Sequence, residues 1–304
     1  MIAILDFGTN TFNLLIAERK DRSFNIVFTS KQPVKLGRGG IQINRITPDA
    51  FERGFVAIQN HMESIEKFKV REIRAFATSA IRNASNGQVF VEEVEKRFDF
   101  RVKVIPGDRE ATLIYKGVRQ AFPMTRKKVM ILDIGGGSNE FIICDENGIS
   151  WKHSFELGMA RILELFDLSD PITHEEVHAL EAYFRHELAP LLEAVKKEKP
   201  RTLIGASGSF DTFYAMLRLR SGIVSDEGHS HPLAMTEFRR IHRKLIRSSH
   251  AERLNLPGME PVRVDMIVPA VIFVCFVLRE CKIKQLVQSD FALKEGVISE
   301  LVGI

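Results

Sequence analysis

At 304 residues with 45% hydrophobic content, the chain is long enough for about two domains with ordinary cores, which excludes the disordered and low-complexity classes. A net charge of +4 demands neither nucleic acid nor membrane, and three cysteines without a Cys-x-x-Cys pair exclude a disulfide framework and fit a reducing compartment. The N-terminus enters a strand pattern without a basic n-region, and the longest apolar run, Met266 to Leu278, is too short to span a bilayer, so a cytoplasmic protein without a signal peptide is expected.

In chain order, Ile2 to Leu5 is an apolar run that leads into Asp6-Phe7-Gly8-Thr9-Asn10-Thr11 and returns through Phe12 to Ala17, the pattern of a hairpin. Lys31 to Gly40 reads as a flexible basic loop carrying Lys31, Lys35 and Arg38. Thr47-Pro48 opens a helix whose Phe51, Phe55, Ile58, Met62, Ile65 and Phe68 recur at intervals of three and four. Ile73 to Thr78 suits a strand, Val89 to Phe98 a helix, Val102 to Ile105 a strand, and Asp108 to about Ala121 a helix with Leu113 and Gly117 inward.

Val129 to Leu132 suits a buried strand, three glycines turn it, and Phe141 to Cys144 returns, so the chain has a second hairpin with its tip at Asp133 to Glu140. Thr173 and Glu176 form a capping box that starts a helix running to about Lys196. Arg201 to Ala206 is a strand, and Ser207-Gly208-Ser209 turns from it into a helix. Met235-Thr236 opens a helix whose Arg239, Arg240, Arg243, Lys244 and Arg247 read as a solvated face. Met266 to Leu278 is a buried helix, Gln285 to Gln288 a last strand, and Phe291 to Val302 a terminal helix.

The two hairpins carry the chemistry, because Asp-x-Gly followed by a hydroxyl-bearing turn and a return strand occurs in both. Gly135, Gly136 and Gly137 let backbone N–H groups approach an anion, Ser138 adds a hydroxyl, and Asp133 can hold a cation that bridges to phosphate oxygens. The repeat predicts two similar lobes facing one cleft, residues 1–124 and 125–304, with the helix from about 291 packing back on the first. Such a cleft suits a phosphorylated substrate with a divalent metal.

Further stretches match a known family: Ala77 to Ala84 with Asn86-Gly87, Ile105 to Ala111, Gly205 to Ser209, and Leu256-Pro257-Gly258 through Arg263, Asp265 and Pro269 to Lys294-Glu295-Gly296. With both hairpins, the whole chain resembles the exopolyphosphatase and guanosine pentaphosphate phosphohydrolase (Ppx/GppA) family. That resemblance implies an α/β fold of two ribonuclease-H-like lobes, as in actin, sugar kinases and heat-shock ATPases. It implies a hydrolase releasing terminal phosphate from inorganic polyphosphate, or alternatively from guanosine pentaphosphate.

Under the resemblance Glu110 matches the catalytic glutamate that accepts a proton from attacking water; without it, Glu110 reads only as an acidic first-turn residue. Gly8, Thr9, Asn10, Thr11, Arg82, Gly135, Gly136, Gly137, Ser138, Gly208 and Ser209 would hold phosphate, with Lys35 or Arg38 adding charge. Asp133, Asp6 and Glu140 would hold Mg²⁺ or Mn²⁺. Three departures stand out: Arg109 replaces an acidic residue, Lys294 stands for Arg, and Asn139 for Thr. Larger members continue into a helical domain, so short phosphate chains are expected to be preferred here. A homodimer is expected from the short length and apolar C-terminal region.

Two rivals differ in class. His174-Glu175-Glu176-Val177-His178 matches the zinc-protease pattern but lies inside a capping box, and His229-x-His231 sits in a polar loop. An ATP-binding switch protein would share the fold without the hydrolytic features, Glu110 and Thr78 to Asn83.

Overall fold

The computed structural model of the protein describes residues 1–21, 23–221 and 228–303. Its first part holds β1 (Ile2–Phe7), β2 (Thr11–Lys20), β3 (Ser23–Pro33), α1 (Pro48–Lys67), β4 (Glu72–Ala77), α2 (Ser79–Asn83), α3 (Gly87–Phe98), β5 (Val102–Val104) and α4 (Gly107–Ala121). The five strands form one sheet in the order β3-β2-β1-β4-β5. β1, β2 and β3 make an antiparallel meander, whereas β4 and β5 return parallel through helical crossovers.

The second part repeats this plan. It holds β6 (Val129–Ile134), β7 (Asn139–Asp145), β8 (Gly148–Phe155), α5 (Met159–Leu165), α6 (His174–Glu187), α7 (Ala189–Glu198), β9 (Thr202–Ala206), α8 (Gly208–Ser221), β10 (Ser230–Leu233), α9 (Met235–Arg247), α10 (His250–Leu254), α11 (Ile267–Glu280), β11 (Gln285–Ser289) and α12 (Leu293–Leu301), with a short 3-10 turn at Pro261–Arg263. Its sheet runs β10-β11-β9-β6-β7-β8, again a meander followed by parallel strands, with β10 added antiparallel at one edge.

The central strands are buried on both faces, so alternate residues feed different cores. Ala3 and Leu5 point into the first part's own core, and Met130 and Leu132 into the second's. Ile2, Ile4, Val129 and Ile131 point the other way, into a third apolar layer shared with Leu113 and Ile114 of α4 and Val297 and Ile298 of α12.

Helices α4 and α12 cross in that layer with no room for side chains at the contact. A Cβ on Gly117 would lie 1.9 Å from the Ala292 carbonyl oxygen, and one on Gly296 would lie 1.8 Å from that of Leu113. Gly296→Ala is therefore expected to destabilise the chain by about 2 kcal/mol or more, as overpacking against rigid backbone does. Urea unfolding of that variant measures it, and an unchanged midpoint would show that the helices can separate cheaply.

Three local readings differ from the structure. Lys31 belongs to β3 rather than to a loop, because Phe24, Ile26 and Phe28 alternate with polar residues and pack as an edge strand on β2. β8 went unread between the second hairpin and α5, where Gly148 to Phe155 is only half buried. The helix from Thr173 breaks at Leu188, since Pro190 has no N–H to continue the ladder. Among the described residues no helix is long and apolar enough to cross a membrane, and the apolar run is α11, with Pro269 tolerated in its first turn.

Candidate active site

Because the two parts share one plan, their aspartates fall at equivalent places: Asp6 near the end of β1 lies opposite Asn13, and Asp133 near the end of β6 lies opposite Glu140. Each strand ends in the same turn, closed by Gly8 N–H to Thr11 O at 3.1 Å and Gly135 N–H to Ser138 O at 3.0 Å. The turns meet across the cleft so closely that a Cβ on Gly137 would lie 2.5 Å from Thr9 Oγ1 and 2.6 Å from Ser79 Oγ.

Between the turns is a cavity of about 130 Å³ lined by Asp6, Gly8 to Thr11, Glu110, Asp133 to Ser138, Glu140, Ser207 and Gly208. Asp211, Arg263, Asp290 and Lys294 also line it, together with Asn13, Lys31, Thr78 and Ser79. Ser209 is buried in the first turn of α8 and does not line it, its neighbour Ser207 standing there instead. Two buried donors of this wall have no partner among the described residues, Asn10 Nδ2 and Arg263 Nε. Buried donors in folded proteins are nearly always paired, so this pair points to an anion as the missing acceptor.

Glu110 sits in the first turn of α4, and its Oε2 accepts from Arg82 Nη1 at 2.8 Å. Arg82 does not line the cavity. Its guanidinium also donates to the Ile105 carbonyl at 3.1 Å and to Glu156 Oε1 at 3.3 Å, so it steadies the Glu110 carboxylate rather than presenting free charge to phosphate. Burial, then the nearby Glu140 carboxylate, raises the Glu110 pKa well above the usual carboxylate range, against the pull of Arg82. Burial and Asp133 push Glu140 up to about 8, although Ser154 Oγ donates to it at 2.7 Å.

Burial likewise raises Asp133 to about 6, with a Ser207 hydrogen bond opposing, and raises Asp6, where Lys294 and an Asn13 amide at 3.0 Å oppose. Burial works against charge on Lys294, but Glu295, Asp6, Asp211 and Asp133 outweigh it and raise its pKa. The ammonium therefore stays charged among the cleft carboxylates. Sequence reading noticed Lys294 only as a departure from a pattern, and it missed Asp211 and gave Arg263 no role.

The donor set fits a hard divalent cation. Buried Asp133, with Asp6 near enough to raise its pKa further, calls for positive charge, and these carboxylate oxygens suit Mg²⁺ or Mn²⁺. Among the described residues no group of three or more His, Cys, Asp or Glu side chains is placed to hold a metal by itself. Water and substrate oxygens would complete the shell, which is the usual manner for Mg²⁺.

At the mouth, Lys35 Nζ meets Asp265 at 2.7 Å and Lys31 Nζ meets Glu260 at 3.3 Å. These pairs are more than a third exposed and contribute at most about 1 kcal/mol each, so an anion can exchange for them at little cost. His174 and His178 are exposed on α6 away from the cavity, and Glu176 is held by Thr173 and Ser169, whose hydrogen bonds lower its pKa to about 2. His229 and His231 both approach Asp290, at 3.6 and 3.2 Å.

Known proteins share this fold. The chain is similar to a crystal structure of an exopolyphosphatase from Cytophaga hutchinsonii, 36% identical with a TM-score of 0.96, covering 99% of this chain and 97% of that one. It is similar to the Aquifex aeolicus member of the Ppx/GppA protein family, 25% identical with a TM-score of 0.79, covering 99% and 97%. A guanosine-5'-triphosphate,3'-diphosphate pyrophosphatase of Aliivibrio fischeri is 25% identical over 297 residues, 98% of this chain and 58% of that protein. The signature of the Ppx/GppA phosphatase family matches residues 15–303, and with the paired hairpins and the cleft between them this establishes that the chain belongs to that family.

Proposed function

We propose that this phosphohydrolase releases terminal phosphate from inorganic polyphosphate, working in a cleft between lobes 1–124 and 125–304. The observation that carries the reading is the unpaired pair Asn10 Nδ2 and Arg263 Nε on a cavity that also holds Glu110. At about 130 Å³ the cavity suits phosphoryl groups and water, well below the roughly 300 Å³ at which sites for larger ligands begin. Guanosine pentaphosphate ends in the same reacting group, and a relative bears a name in that class.

Phosphoanhydride hydrolysis asks the protein for positioning and charge more than for covalent chemistry. The turns Gly8 to Thr11 and Gly135 to Ser138 supply donors to the terminal phosphoryl oxygens, while Arg263 and Lys294 offset its charge. Glu110 and Glu140 are buried close together, so a charge on Glu140 disfavours one on Glu110. Arg82, bonded to Glu110, favours the anion there, while burial and Asp133 push Glu140 up to about 8 and favour its proton. The Glu110 carboxylate accepts a proton as water oxygen attacks phosphorus, and the shortened polyphosphate departs. Asp133 and Asp6, with water and substrate oxygens, would hold Mg²⁺ or Mn²⁺, which would supply charge to the phosphate oxygens; Glu140, expected from the sequence as a third ligand, keeps its proton at neutral pH and stands outside that set.

Phosphate release from polyphosphates of defined length and from guanosine pentaphosphate, at matched Mg²⁺, tests the reading. Release from neither would sink it. Asp133→Asn is expected to raise the Mg²⁺ needed for half-maximal rate, because an amide oxygen binds a hard cation less strongly than a carboxylate. An unchanged Mg²⁺ requirement would remove Asp133 from the metal set.

A further inference from the structure

Away from the cleft, the second lobe carries a shallow, open groove of about 920 Å³. Three separate segments build it: Arg220 near the end of α8, Arg240, Arg243, Lys244 and Arg247 of α9, and Asn255 just past α10. The spacing of the α9 cations puts them on one exposed side of the helix, while Phe238, Ile241 and Leu245 bury the other.

A merely solvated basic face would spread its charges or pair them. Here five cations crowd one surface, and among the described residues only Glu237 answers them, with Arg240 at 2.5 Å and Arg220 at 3.9 Å. Arg243, Lys244 and Arg247 make no ion pair with the described residues. Glu252, the groove's own carboxylate, is spent on the cap of α10, accepting from Ser249 N–H at 2.8 Å and Ser249 Oγ at 3.1 Å. Such a surface is relieved by an anion with many phosphates, which arginine forks bind in pairs.

Among the described residues no aromatic side chain lines the groove, so they offer no platform on which nucleic-acid bases could stack. The anion it fits is a bare phosphate chain. α10 also joins the groove to the cleft, since His250 Nε2 lies 3.1 Å from Asp265, the carboxylate that holds Lys35 at the mouth.

We propose that this groove is a second binding site for inorganic polyphosphate, anchoring polymer away from the reacting end; the choice of ligand rests on the polyphosphate reading above. The groove supplies the remote surface whose lack motivated the expected preference for short chains, and it predicts that long polymer binds more tightly than short.

The test compares Glu110→Gln protein, which holds substrate with slow turnover, with and without Arg240→Ala, Arg243→Ala and Arg247→Ala. Polymer on the order of 100 phosphates should lose about tenfold in affinity at low salt, with a shallower salt dependence, as lost cation contacts require. The same three substitutions on active protein should leave kcat and KM for tripolyphosphate unchanged. Lys244→Gln with Arg247→Gln gives a milder second variant, and thermal melting checks that each is folded. Unchanged polymer affinity overturns the proposal, and so does a loss confined to a single-stranded oligonucleotide, which would make the partner a nucleic acid. If polymer binding depends on the groove but no polyphosphate is hydrolysed, the anchoring site stands and the proposed activity fails.

Discussion

Glu110→Gln is expected to lower kcat by about 10² to 10⁴ while KM changes little, the usual worth of a general base. The amide keeps the side chain's size and can still meet Arg82 through its oxygen, so the first turn of α4 and the cavity wall should survive. What it loses is the ability to take a proton from water. It also removes a nearby like charge, so Glu140 should ionise more readily in the variant. Steady-state kinetics on tripolyphosphate with a melting control measures the effect. Turnover above about a tenth of wild type would leave Glu110 as a helix-start residue and send the search for the base elsewhere in the cleft.

Arg82→Ala should be the most destabilising of these substitutions, in a manner that depends on pH. Arg82 and Glu110 are both largely buried, and removing one partner of a buried pair costs about 3–5 kcal/mol because the other charge is left uncompensated. Glu110 can escape that cost by staying protonated. Its folded pKa already stands above the ordinary 4.5, and without Arg82 it rises further. A carboxyl with a raised folded pKa stabilises the fold fully below its unfolded pKa and loses that contribution as pH climbs through the folded value. The variant should therefore lie close to wild type near pH 5 and fall furthest behind above pH 8, where Glu140 with its pKa of about 8 ionises too. Urea unfolding across that range measures it. An equal deficit at both ends would mean that Arg82 acts through the Ile105 carbonyl and Glu156 rather than through Glu110.

Local chemistry made much of the chain legible from its residues. Apolar runs ending in Asp and a glycine turn can hardly be other than buried hairpins, and those hairpins proved to be the two centres of the sheets. Thr173 with Glu176 marked a helix start because a capping box satisfies its donors within four residues. Where the signal was faint, burial was partial: β3 and β8 each bury little on one face, so their alternation is diluted by polar residues.

What the sequence by itself determined, then, were features whose partners lie a few residues away: turns, caps, the period of burial, and the repeat that implies a cleft. Tertiary structure alone decided which side chains meet from distant segments. Arg82 reaches Glu110 only because β4 and β5 lie side by side in the sheet, and that contact gives the buried carboxylate a cationic partner from another segment. Lys294 comes to stand among Asp6, Asp133 and Asp211 because α12 crosses α4 at two glycines. Arg263 is left buried with an unpaired Nε, and a run of charge on α9 becomes a groove only where α8 and α10 wall it in. The physical reason is that hydrogen-bonding and burial patterns repeat along the chain and can be read there, whereas electrostatic environment depends on distance in space, which sheet order and helix crossings set.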